Sequence, residues 1–205
     1  MNDPTKPHDS ISGSPMSNAA QITLAKADAR RYYLARRAVR SDYDRHRATA
    51  ALAERARRSQ RSIVAGFVPR GGEPGSLEVV DELSRRTTVL LPIIGAAGEP
   101  LQWAAYAGRD ALVTGPHGIL QPPEPDGHTL ADVELVYVPA VAIGRDGTRL
   151  GHGGGYYDRT LAGVPTELLC GVVHDDEVAD TLPTHEHDVR VGWLCTPSKT
   201  TRLLT

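Results

Sequence analysis

The chain has 205 residues, 40% of them hydrophobic, and its 23 Lys and Arg against 25 Asp and Glu leave a formal net charge of −2. That length supports one substantial core and crowds out two full domains. The near balance of charge argues against an obligate nucleic-acid coat or a membrane-surface protein, and no apolar run approaches membrane-spanning length. The opening "MNDPTKPHDSISGSPMSNAA" lacks the basic start and apolar centre of a secretion signal, and its Pro, Ser, Asn and Gly content predicts a disordered leader over residues 1–20. A single domain is expected over 21–205. Cys170 and Cys195 lie in apolar stretches without metal spacing, as buried reduced thiols of a cytoplasmic protein do.

From Leu24 to Arg58 the sequence is rich in Ala, Arg and Leu, with an interruption near Val39 to Ser41 and a capping pair in Ser41 and Asp44, so two helices are expected. Their arginines are read as solvated helix faces, because Ala and Leu fill the intervening positions and no aromatic stacking pattern accompanies the charges. "SIVAGFV" (62–68) reads as a buried strand, "PRGGEPGS" as a loop, Leu77 to Arg86 as a short amphipathic helix and "TTVLLPII" (87–94) as a strand. This β-loop-α-β unit places the loop at the carboxyl end of a strand, where open α/β sheets hold ligands. "PLQWAAYAG" (100–108) is expected as an edge or hairpin strand and "GPHGILQPPEPDG" (115–127) as a loop. "VELVYVPAVAIG" (133–144), "ELLCGVV" (167–173) and "VRVGWLC" (189–195) supply further strands. The fold expected is a three-layer α/β/α arrangement around a mainly parallel twisted sheet.

The string "RLGHGGGYYDR" (149–159) follows a strand and precedes a helix expected to begin near Gly154 or Gly155. Free backbone N–H groups at such a junction receive anions, usually phosphate, and glycine allows a close approach. The string is neither GxxxxGK[ST] nor GxGxxG, since Tyr156 stands where the third glycine should be. A standard nucleotide motif is excluded, and a glycine loop that merely solves a tight turn is the bland alternative.

The whole stretch "G.RLGHGGGYYDR.L" resembles the signature of the 5-formyltetrahydrofolate cyclo-ligase family, also called methenyltetrahydrofolate synthetases. "AKADARR" resembles that family's opening lysine-arginine helix, "GGEP" its substrate-loop glutamate, "VPAVAIGRDGTRLG" the strand into the signature and "LPTHEHDVRV" its C-terminal segment, together covering about residues 20 to 198. The resemblance implies ATP-driven, Mg²⁺-dependent conversion of 5-formyltetrahydrofolate, in mono- or polyglutamyl form, to 5,10-methenyltetrahydrofolate by a monomeric enzyme that uses neither nucleic acid nor membrane. A catalytically weak folate-binding paralogue and an activator of a different formyl substrate remain as alternatives.

Roles follow by resemblance. Gly151, His152, Gly153, Gly154 and Gly155 would wrap the triphosphate, joined by the cations Lys26, Arg30 and Arg149. Arg149 and Tyr156 would act at the reacting centre, with Tyr156 and Gly153 to Gly155 also touching substrate. Asp158 and Asp188 would be the metal ligands, since Mg²⁺ takes one or two carboxylates and completes its octahedron with phosphates and waters. Glu73 would accept the pterin's N–H donors, Trp103 would line the slot, and the loop around Ile119 and Gln121 would form another wall. Three positions depart from the family pattern: Gly154 where lysine is common, Gln121 where an acid is expected and Gly192 where aspartate is common.

Overall fold

The computed structural model describes residues 16–203. The leader expected over 1–20 lies outside these residues up to position 15. Ser17 already caps the first helix, its hydroxyl accepting from the Ala20 amide at 3.3 Å, so the helix starts at Asn18 and the fold begins a few residues earlier than expected. α1 runs Asn18–Ala38 and α2 Asp42–Arg57. The capping pair between them is formed: Ser41 Oγ accepts from the Asp44 amide at 3.1 Å and donates to the Asp44 carboxylate at 2.7 Å. Arg55 donates to the Thr196 carbonyl, while Arg36, Arg40, Arg45, Arg57 and Arg58 pair with acids on the same or neighbouring elements. The basic stretch is thus largely neutralised within the chain.

In chain order the strands are β1 (Ile63–Ala65), β2 (Thr88–Ile93), β3 (Gln102–Ala105), β4 (Val113–Thr114), β5 (Leu120–Gln121), β6 (Val136–Pro139), β7 (Ala142–Gly144), β8 (Arg149–Leu150), β9 (Leu169–Val172), β10 (Val178–Ala179), β11 (Trp193–Cys195) and β12 (Thr200–Arg202). α3 (Leu77–Ser84) stands between β1 and β2, and α4 (Tyr156–Thr160) follows β8. The central sheet has seven strands in the order β12-β11-β9-β6-β1-β2-β3. Its inner strands β11, β9, β6, β1 and β2 pair in parallel, and an antiparallel strand closes each edge. β3 is the edge strand the sequence predicts.

Alternation along these strands separates two cores, as the period of two requires. Ala65, Leu90, Val136, Val138, Leu169 and Leu194 face one side. Val64, Val89, Leu91, Cys170, Val172 and Cys195 face the other, where Leu52 and Ala56 of α2 and Val80 and Leu83 of α3 cover them. Both cysteines are free and buried. The layer on the first side is thinner than a full helical layer. It is shared by α4, through Leu161, and by a small sheet of order β10-β7-β8, through Ile143.

The sequence reads 133–144 as one strand, but the structure divides it. Pro139 has no N–H to continue the ladder, β6 ends there, and after Ala140 and Val141 the chain enters the small sheet as β7. The β7–β8 hairpin pairs Ala142 with Leu150 and Ile143 with Arg149. It turns through Gly147 at φ 83° and is held by Asp146, which accepts from the Thr148 amide and hydroxyl. The outcome is a short ribbon that aims Arg149 back across the carboxyl ends of β1 and β6. The loop expected over 115–127 carries β5, which pairs with β4 in a two-stranded ribbon.

Candidate active site

The carboxyl ends of β1, β2 and β6, the loop 69–76 and the glycine stretch enclose a cavity of about 300 Å³. It is built from two chemically different halves. One wall is apolar: Phe67, Pro92, Ile94, Leu101, Ile119 and Leu120. The other is the glycine loop with Arg149, Tyr156, Tyr157 and Asp158.

Arg149 is 5% exposed. Its Nη2 donates to Asp158 Oδ1 at 2.6 Å and its Nη1 to the Pro139 carbonyl at 3.3 Å, while its buried Nε finds no acceptor. Beyond it, none of the amides of Gly151, His152, Gly153, Gly154 and Gly155 donates to an acceptor among the described residues. Gly153 at φ 104° and Gly155 at φ 66° occupy backbone conformations that disfavour a side chain. A buried guanidinium N–H without a partner costs free energy, and five unused amides beside it make this wall rich in donors and poor in acceptors. Such a wall can receive an anion. The helix that follows begins at Tyr156 and has five residues, so the loop's own amides supply more of the field than a long helix macrodipole would.

The other predicted cations, both on α1, do not line the cavity: Arg30 reaches the back of the glycine loop, and Lys26 pairs with Asp188. Arg30 Nε donates to the Gly151 carbonyl at 2.7 Å. One turn earlier Lys26 is 7% exposed, and its Nζ lies 2.6 Å from each oxygen of Asp188. Asp188 also accepts from the His185 amide and the Thr184 hydroxyl. Burial works to raise its pKa, but the bonds from Lys26 and His185 outweigh that and hold it below the ordinary carboxylate range. Asp188 thus has both oxygens engaged by protein donors, Oδ1 by Lys26 and Oδ2 by Lys26, Thr184 and His185. Asp158 differs: its bonds from Arg149 and from the Val189 amide both fall on Oδ1, leaving Oδ2 uncommitted among the described residues. No group of three or more His, Cys, Asp or Glu gathers in metal-holding geometry among the described residues.

Glu73 sits in the loop after β1, 7% exposed, and lines the cavity. Its Oε2 accepts from the Arg70 amide at 3.0 Å and its Oε1 from His152 Nε2 at 2.9 Å. Tyr156 and Tyr157 both line the cavity and pack on the core. Burial, reinforced by the negative charge of Glu73, pushes the Tyr157 hydroxyl well above its ordinary pKa. The Arg159 guanidinium lies 5.2 Å above the Tyr156 ring.

Trp103, like Lys26, Arg30 and Asp188, does not line the cavity. At 4% exposure it belongs to the core, because alternation along β3 turns it inward with Leu101 and Ala105. The aromatic ring on the apolar wall of the cavity is Phe67. Its position at the end of β1 is the signal that could have found it, since parallel sheets bind at the carboxyl ends of their strands; reading "SIVAGFV" as buried throughout hid it. Ile119 lines the cavity as expected, but Gln121 is buried and accepts from the Ile94 amide through Oε1, so it holds the wall from behind. Gly192 has no room for a side chain: a Cβ there would lie 2.5 Å from the Thr166 carbonyl oxygen.

Known proteins share both sequence and fold. The chain is 41% identical over 146 residues to the 5-formyltetrahydrofolate cyclo-ligase of Mycolicibacterium smegmatis, covering 66% of this chain and 74% of that one. It is 33% identical over 144 residues to the Escherichia coli protein of the same name, covering 66% and 78%. The solution structure of Aquifex aeolicus 5,10-methenyltetrahydrofolate synthetase superposes with a TM-score of 0.77 at 28% identity, over 87% of this chain and 92% of that one. A Mycoplasma pneumoniae 5,10-methenyltetrahydrofolate synthetase, 16% identical with a TM-score of 0.65, shares the fold. The model of the 5-formyltetrahydrofolate cyclo-ligase family matches residues 22–197, and with that match spanning both cores and every wall of the cavity, the chain belongs to this family.

Proposed function

We propose that the chain catalyses the ATP-dependent cyclisation of 5-formyltetrahydrofolate to 5,10-methenyltetrahydrofolate, releasing ADP and phosphate. The observation that carries this reading is the junction of two surfaces in one cavity: five loop amides without a protein acceptor among the described residues beside a buried arginine whose Nε is unpaired on one side, and an apolar wall ending in a buried carboxylate on the other. The first suits a triphosphate. The second suits a pterin, whose ring N–H and amino groups need an acceptor such as Glu73 while its faces need apolar contact.

In this reading the formyl oxygen attacks the γ-phosphorus, the new O–P bond forming as the bond to the ADP oxygen breaks. N10 then attacks the activated carbon and closes the ring, its proton is lost, and phosphate leaves with the former formyl oxygen. The chain contributes position and charge. The loop amides and Arg149 stabilise charge on the transferring group, which is where preorganised donors act most strongly. Arg30 holds the loop by the Gly151 carbonyl, and one turn earlier on α1 Lys26 is held by Asp188.

A divalent ion fits the site with Asp158 as its single protein ligand, because Asp158 Oδ2 is uncommitted whereas Lys26 already occupies both oxygens of Asp188. When bound, Mg²⁺ would neutralise charge on the phosphates, which would complete its coordination together with water. Asp188 is assigned here to orienting Lys26.

The test mixes purified protein with 5-formyltetrahydrofolate, Mg²⁺ and ATP and follows the near-ultraviolet absorbance of the methenyl product. Product that requires ATP is expected. Tight binding of the folate with no product and no ADP release would instead identify a non-catalytic folate binder.

A further inference from the structure

The apolar and phosphate-facing halves of the cavity are joined by a hydrogen bond between side chains. Glu73 Oε1 accepts from His152 Nε2 at 2.9 Å; because an ionised carboxylate only accepts, Nε2 carries the hydrogen. The two partners differ in how firmly they are held. The Glu73 side chain is 4% exposed, its second oxygen is fixed by the Arg70 amide, and its loop is anchored next door, where His174 Nε2 lies 3.0 Å from the Gly72 carbonyl and Gly72 packs on Arg37. The His152 side chain is 36% exposed and flanked by two glycines, one of them at φ 104°. Arg30 ties down the start of this loop at the Gly151 carbonyl, and Arg159 donates to the Gly154 carbonyl at 3.2 Å, so the bond to Glu73 is what holds the His152 side chain between these two anchors.

We propose, on the basis of the function above, that His152 is a positioning residue through which folate and ATP binding are coupled. A carboxylate oxygen accepts more than one hydrogen bond, so pterin donors can join Oε1 while His152 remains. Folate seated on Glu73 then fixes the carboxylate, the imidazole bonded to it and the amides on either side of His152. ATP seated on those amides fixes the same loop and, through the imidazole, aims Glu73. Each ligand completes ordering that the other also requires, which makes the linkage positive and reciprocal.

Calorimetry on the full chain tests this, with 5-formyltetrahydrofolate titrated in the absence and presence of a non-hydrolysable ATP analogue with Mg²⁺. In the wild type the analogue is expected to tighten folate binding about fivefold or more. His152→Ala is expected to bring that ratio to about one, and His152→Gln, which keeps a donor, to return it toward the wild-type value; thermal melting of each variant confirms that it is folded. A ratio of one in the wild type, a ratio unchanged in His152→Ala, or a His152→Gln ratio no larger than that of His152→Ala would each overturn the proposal. A wild type that shows the ratio but forms no product overturns the assigned reaction and leaves the coupling standing.

Discussion

Asp158 holds a buried arginine with one oxygen and keeps the other free, so its charge matters more than its shape. Asp158→Asn retains an acceptor for Arg149 but weakens both the pair and any bound cation. Turnover is expected to fall by about 10²–10³-fold, the range for losing one group that stabilises transition-state charge, while the ligand-free melting temperature moves by no more than a few degrees. Steady-state kinetics with thermal melting check this, and a large loss of stability with activity preserved per folded molecule would return Asp158 to a structural role. Glu73→Gln exchanges an acceptor pair for one acceptor and one donor facing the pterin. It is expected to raise KM for the folate about tenfold, as for a charged hydrogen bond worth about 1.5 kcal/mol, with a smaller change in KM for ATP.

At the level of elements, glycines decide how closely sheets and loops approach. A Cβ on Gly171 of β9 would fall inside the Ile143 side chain of the small sheet, so this glycine sets the spacing between the two sheets. Gly171→Ala is expected to cost about 1–3 kcal/mol of stability, the usual cost of overpacking a filled core, read as a lower denaturant midpoint with an unchanged slope. The helices and the parallel inner strands were legible in the sequence because each carries a strong local signal: the cap at Ser41, the continuous apolar run over 89–94, and Ala-rich turns over 24–58. What was illegible depended on a single residue overriding its surroundings. Pro139 cuts an apolar run in two, which periodicity alone cannot show; Trp103 is turned into the core by the alternation of β3, while Phe67 lines the cavity from just beyond the end of β1. The glycine loop was legible from residue type and Lys26 was picked out only by the family resemblance, whereas the engagement of Asp188 by Lys26 was not legible, since the partners lie 162 positions apart.

For the whole molecule, the pairs that bind α1 to the rest of the fold are buried and charged. Arg37 donates to both oxygens of Glu177 at 2.8 and 2.6 Å, and both side chains are 1% exposed. Removing one partner leaves a charge in the interior, so Arg37→Met is expected to destabilise the protein by about 3–5 kcal/mol, and adding Glu177→Leu to recover part of that loss. Stability should also fall with acid in two windows. Burial lowers the His174 pKa in the folded state, so the unfolded chain takes up a proton first and stability declines as pH falls below about 6.5. Asp146, Asp176 and Asp188 resist burial through their hydrogen bonds and are also held low. Their contribution is complete above about pH 4 to 5 and is lost as pH falls further. Melting temperature against pH is expected to show both declines, with His174→Gln removing the upper one.

The bond from Lys26 to Asp188 also orders events in time. A chain emerging from the ribosome presents α1 first, yet the carboxylate that receives Lys26 lies 162 positions behind it. β11, which pairs with β9 inside the sheet, emerges later still. Until that segment is translated, a basic helix waits beside an incomplete sheet, and the loop that would receive a triphosphate lacks the irregular segment before β11 that brings the Val189 amide to Asp158. During synthesis, then, binding competence would arrive as one of the last events and nearly at once.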